Sequence, residues 1–223
     1  MESYSLVHIH ILGGSVSMLA GAGALWFQKG SAPHRAAGNI FFVFMLLMSG
    51  TGAYLAYVNH EGASILAGTL TFYMTATGWA TVKQTEHTFG NFEKIALIAV
   101  MGIAAYGLIS GFEALNSETG LKDGFPAPVY LVFGSVAVIA ALSDISVLMR
   151  RGIGGAQRIA RHLWRMTYAM FMAVASFFLG QQQVFPESMQ GNPAFFVPVL
   201  LVIILLFFWL IKVLFGKQFK SAA

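Results

Sequence analysis

The sequence predicts an all-α polytopic membrane protein, a seven-transmembrane-helix bundle with its N-terminus outside and its C-terminus in the cytoplasm. Three observations predict it. Charged residues make up only 10% of the 223-residue chain, against about 25% in a soluble domain. Mean hydropathy is +0.71. Seven apolar runs of spanning length follow one another, at roughly 5–28, 38–59, 62–82, 94–115, 127–149, 163–183 and 193–215, where a span needs about 20 apolar residues. Little chain is left for a soluble domain, so residues 1–223 read as one transmembrane domain. Helices are the form in which such segments satisfy their own backbone polar groups in lipid. The chain has no cysteine, which excludes disulfides and thiolate metal sites.

The first run does not read as a cleaved signal peptide, because Glu2 stands where a basic region would be and the run is long enough to span. His10, Gly14, Ser17, Gly21 and Ala24 recur at helical spacing, so they share a face on which small residues admit a neighbouring helix. That face turns His10 into the bundle. His8 lies about 200° away around the helix. The first loop, with His34 and Arg35, is expected to end near Gly38. Span two closes in Tyr54, Tyr57, Asn59, His60 and Glu61, a polar rim with interface aromatics.

Span three carries hydroxyls at alternate positions, from Thr69 to Thr81. These cannot all share one helix face, so most should bond back to their own helix. The next loop contains His87. Span four brings Gly102, Gly107, Ser110 and Gly111 for close packing. The connection to span five is punctuated by Gly120, Gly124, Pro126 and Pro128 and is expected to be irregular. Span five places Asp144 just inside its basic end. The following QRIARHLWRM reads as an interfacial amphipathic turn with Ile159, Leu163 and Met166 on one side. Span seven is bulky and apolar all round, the helix best suited to face lipid.

Orientation follows from the basic residues. Twelve of the 13 Lys and Arg fall in or beside loops one, three and five and the C-terminal tail, which includes Lys217 and Lys220; the opposite side has Lys122. The positive-inside rule puts the twelve in the cytoplasm. The net charge of +4 is thereby a topology signal directed at anionic headgroups, and no nucleic-acid partner is implied. The expected partner is the bilayer itself, with a lipid or small apolar ligand as a further candidate.

At the level of motifs, HI–GG–A–G–ALW in the first span, then KGS, HR and Gly, together with RHLWRM leading into SFFLGQQQVFP, resembles the domain-of-unknown-function 2306 family of bacterial membrane proteins. The resemblance covers spans one, two and six best. It implies a polytopic protein of the bacterial inner membrane, marks His10, His34, Arg35, His162 and Arg165, and brings no activity with it.

HExxH, GxSxG, HxxxH and a Walker loop are all absent, and no lysine lies mid-span for a retinal Schiff base. The chemistry therefore falls to histidines and buried charges. An intramembrane histidine ligates haem iron or a metal, relays protons, or packs by a hydrogen bond to another helix. Two groups are candidates. His10, His34 and His162, with Arg35 and Arg165 for anionic substituents, form an expected site for haem b or another redox cofactor in electron transfer. His8, His10, His60 and Glu61 form an expected metal site on the outer side. The alternative is a non-enzymatic protein that binds or transports a small molecule or lipid. The basic residues near the cytoplasmic boundary would otherwise face phosphates. Asp144 and Arg165 lie at a similar depth and are expected to pair, because an isolated charge in lipid is costly.

Overall fold

A computed structural model describes residues 2–86, 88 and 90–216. His87, Lys217 and Lys220 lie outside the described residues. Among the described residues the chain forms seven α-helices: α1 (Glu2–Trp26), α2 (Ala32–Val58), α3 (Gly62–Lys83), α4 (Asn91–Asn116), α5 (Ala127–Met149), α6 (Gly155–Ala175) and α7 (Phe196–Phe215). Six regions, all but α3, are long and apolar enough to cross a membrane. Their outward faces carry exposed Ile11, Leu19, Ile98, Ile139, Ile204 and Phe207. A water-facing monomer rarely exposes apolar surface so continuously.

Two helices, α2 and α6, begin six or more residues before their apolar runs. α2 starts at Ala32, where the Ser31 hydroxyl accepts from His34 N–H (3.3 Å) and Pro33 occupies the first turn. Both are helix-start signals. His34 and Arg35 therefore stand on the first turn of a helix, not in a loop ending near Gly38. α6 starts at Gly155, so Arg158, Arg161, His162 and Arg165 all ride on it. After Ala175 the helix widens into a π-helical turn over Ser176–Gly180 and gives way to short 3-10 turns before reaching 183.

The α4–α5 connection is also more ordered than its glycines and prolines imply. Leu121–Lys122 (β1) pairs antiparallel with Phe125–Pro126 (β2). Asp123 and Gly124 both adopt positive φ (49° and 79°), the pattern of a type I′ turn that joins two strands tightly.

The helices pack around α3, which touches α2, α4, α5 and α6. Twelve of its 22 residues are buried, which explains how it tolerates so many hydroxyls. Thr69, Thr71, Thr75, Thr77 and Thr81 each donate to the carbonyl four residues back. One core, between α3, α4 and α5, is built on Leu70, Met74, Val100, Ala137 and Ala140. A second, between α2, α6 and α7, is built on Phe41, Met45, Met170, Val199 and Val202. α4 and α5 meet backbone to backbone: a Cβ on Gly107 would lie 2.7 Å from Gly134 Cα.

Candidate functional site

Lys29, Arg35, Lys83, Lys94, Arg150, Arg151 and Lys212 mark one end of the bundle, called the basic end. Just inside it, α3, α5 and α6 enclose a charge cluster. Asp144 Oδ1 accepts from Arg161 Nη2 (2.8 Å) and Arg165 Nη2 (2.5 Å). Tyr73 donates to Asp144 Oδ2, and Arg161 Nη1 donates to Thr81 Oγ1. Asp144 is 2% exposed and Arg165 0%. The Arg165 guanidinium also sits 5.1 Å from the Tyr73 ring centre and 5.5 Å from that of Trp164.

Asp144 and Arg165 are thus joined, but by a larger network than a simple pair. Arg161 does not reach for phosphates: it is buried, and it shares the carboxylate. The buried face of α6 at this level is the arginine face, while Ile159 is exposed. The reason is the availability of partners. Asp144, Tyr73 and Thr81 all face this side of α6, and guanidinium groups enter a protein interior only against such partners. Gly78 lets α6 come close, since a Cβ there would stand 3.0 Å from Arg165 Cβ. The sequence signal was present: Arg158, Arg161 and Arg165 fall on one helical face.

Beside this cluster, a cavity of about 450 Å³ opens between α1, α2, α3, α6 and α7, within the usual size range of ligand pockets. His34, Arg35, His162 and Lys29 line it, with Trp79, Trp209 and the apolar Phe41, Leu163 and Met170. His34 Nδ1 donates to Ala24 O (2.9 Å), and His162 Nδ1 donates to Gly78 O (2.8 Å). A carbonyl oxygen only accepts, so each Nδ1 carries a proton, and in the neutral imidazole Nε2 is then the nitrogen with the lone pair. This is the tautomer of a metal-ligating histidine whose other nitrogen is held by a carbonyl. Lys29 Nζ donates to Leu25 O (2.5 Å) and Ala24 O (3.1 Å), capping α1. Its burial pushes the ammonium pKa below the ordinary lysine value. Arg35 Nη1 donates to Gly30 O (2.6 Å).

A second hollow, about 480 Å³, lies between α2, α3 and α4. Its walls are Phe72, Ile95, Ala99 and Ile103, and its three hydroxyl-bearing residues are already committed: Thr69 to Ile65 O, Thr77 to Tyr73 O and Tyr73 to Asp144. It offers no polar group to orient a ligand.

The remaining candidates stand at the opposite end. His10 faces α2, where Nδ1 donates to Met48 O (2.8 Å) and the ring lies over Gly52. Along α1, the 14 residues from His10 to Ala24, the acceptor of His34, span about 20 Å. His10 therefore does not share a site with His34 and His162. Arg165 belongs to the charge cluster and does not line the cavity. Among the described residues, no three His, Asp or Glu side chains come together to hold a metal ion. The set His8, His10, His60 and Glu61 is accordingly not assembled; His60 and Glu61 are exposed at the α2–α3 turn, with His60 at φ 59°. Further polar contacts form at this end. Lys122 pairs with Glu113, which raises the lysine pKa above its ordinary value, and Tyr130 donates to Lys122 O (3.0 Å).

Helices of membrane-spanning length around a histidine-lined cavity define the class as a multi-pass helical membrane protein. No family model, curated protein or solved structure matches the chain. The functional reading rests on the chain's own chemistry.

Proposed function

We propose that this chain is a seven-span protein of the bacterial inner membrane, related to the domain-of-unknown-function 2306 family, that holds a redox cofactor in the cavity at its basic end and serves electron transfer. The observation that carries this reading is the pair His34 and His162. They stand on different helices, line one cavity, and each ties Nδ1 to a backbone carbonyl, which leaves Nε2 as the nitrogen for a ligand.

The donor set fits haem b. His34 and His162 would hold the iron, Arg35, with only Nη1 engaged, would pair with carboxylate substituents, and aromatic and aliphatic walls suit a flat apolar ring. When bound, haem supplies one-electron chemistry. The protein's part is to fix the two imidazole tautomers, to exclude water with Phe41, Leu163 and Met170, and to balance charge with the basic side chains. The test is the absorption spectrum of the purified protein, oxidised and reduced, after expression with ample haem. A Soret band that shifts on reduction is expected; a colourless, iron-free protein would sink the haem reading.

One observation favours a second reading, non-enzymatic binding or transport of an anionic amphiphile. Trp209 in the cavity wall is flanked by Lys29 and Lys212 at 4.9 and 4.8 Å from its ring, an arrangement that suits a lipid headgroup above an acyl chain. Native mass spectrometry separates the two: a bound lipid with no iron supports this one.

In the proposed topology α3 is the seventh span despite its hydroxyls. Its 22 residues measure about 33 Å, enough to cross a hydrocarbon core, and protein rather than lipid surrounds it. The basic end is then cytoplasmic and the N-terminus outside. A cytoplasm-dependent reporter fused after Lys220 is expected to be active, and activity of a periplasm-dependent reporter there would overturn the orientation.

A further inference from the structure

The charges in the α3–α5–α6 cluster do not balance. One carboxylate, Asp144, faces two guanidinium groups. Arginine stays protonated at any physiological pH, so no proton shift can neutralise the excess. Asp144 Oδ1 takes one Nη2 from each arginine and Oδ2 takes Tyr73, and none of these bonds engages Arg165 Nε or Nη1. Among the described residues, no other carboxylate is within ion-pair distance of Arg161 or Arg165. The charged neighbour on the same helix, Arg158, has its own partner in Glu86 at 3.4 Å and leaves the excess as it is. His162 gives its Nδ1–H to the Gly78 carbonyl and lines the neighbouring cavity, so it supplies no negative charge here.

The hydrogen bonds are unbalanced as well. Arg165 is fully buried, yet its Nε and Nη1 have no partner; Arg161 Nε and the Tyr168 hydroxyl, one turn further along α6 from Arg165, have none either. The Tyr73 and Trp164 rings stabilise the Arg165 cation, but they carry no net charge and leave the positive excess in place. Several orphaned donors around one excess positive charge are what a protein interior shows where an ion or water belongs.

We propose that this cluster is an internal anion-binding site. Its ligand is a single small monovalent anion, halide-sized or a compact carboxylate, held by the unpartnered N–H groups of Arg165 with Arg161 contributing Nε. The excess of one positive charge sets the valence, and the complete burial of the donors sets the size. The site is separate from the histidine cavity and does not rest on the cofactor reading.

The test uses the intact protein in detergent at constant ionic strength, with chloride replacing gluconate. The thermal midpoint is expected to rise with the logarithm of chloride concentration once it exceeds the dissociation constant, reaching about 4 °C at ten times that constant. Arg165→Gln leaves Asp144 and Arg161 as a balanced pair and is expected to abolish the rise, whereas Lys29→Gln, in the neighbouring cavity, is expected to keep it. Bromide soaked into crystals of the unaltered protein should give an anomalous peak beside Arg165, a readout that needs no variant to fold. Absence of both the chloride-dependent rise and the bromide peak would overturn the site, as would a rise that survives Arg165→Gln.

Discussion

Asp144→Asn is expected to lower stability in detergent by about 3–5 kcal/mol, the cost of removing one partner from a buried ion pair. It should cost more than either Arg165→Gln or Arg161→Gln. The asymmetry follows from the geometry. Both guanidiniums donate to Asp144 Oδ1, so loss of the carboxylate strands two buried cations at once. Loss of either arginine leaves a one-to-one pair. The double variant Asp144→Asn/Arg165→Gln is expected to lose less than the sum of the single losses, because removal of Arg165 takes away a cation that Asp144→Asn had stranded. Unfolding midpoints of the four variants and the unaltered protein in one detergent check this. Strict additivity would mean that the two side chains do not share an interaction.

Gly134→Leu is expected to be the most damaging substitution outside the charged cluster. A Cβ on Gly134 would stand 2.9 Å from Leu108 N and 3.0 Å from Gly107 C. These are backbone atoms of α4, which cannot swing aside as a flexible side chain does. The helices must separate along their contact, and overpacking of this kind typically costs about 1–3 kcal/mol or more. Gly102→Leu on the same α4 helix is the control, since nothing lies within 4 Å of its would-be Cβ. Equal midpoints for the two variants would show that α4 and α5 do not cross this closely.

How far the sequence leads depends on which physics an element obeys. The apolar runs expose the helices, because a span must be long and apolar whatever its neighbours are. Helix starts are hidden where the first turns are polar. His34 and Arg35 look like loop residues until Ser31 and Pro33 are read as a helix start, and the arginines of α6 look like interfacial groups. α3 has the opposite character: its hydroxyls make it the least lipid-like helix, and its central position explains why.

For the site, Asp144 and Arg165 are readable as partners because each charge at that depth demands one. Arg161 is not, since an arginine near a membrane boundary has phosphates as an equally good partner, and only the placement of Thr81 and Asp144 decides. Tyr73 is one hydroxyl among several along α3, and nothing local distinguishes it. The inward face of His10 follows from its small-residue neighbours, yet its partner is the Met48 carbonyl, about 20 Å along α1 from the level of the other two histidines. That His34 and His162 meet at one cavity depends on how α1, α2 and α6 pack, which spacing along the chain does not encode.

The cavity is tested most directly by reduced and oxidised absorption spectra of His34→Ala, His162→Ala and His10→Ala, recorded beside the unaltered protein at equal concentration. The expected result is loss or a marked shift of the Soret band in His34→Ala and in His162→Ala, with His10→Ala unchanged. A band that survives intact in the first two variants, or that disappears only in His10→Ala, would contradict a cofactor held between His34 and His162.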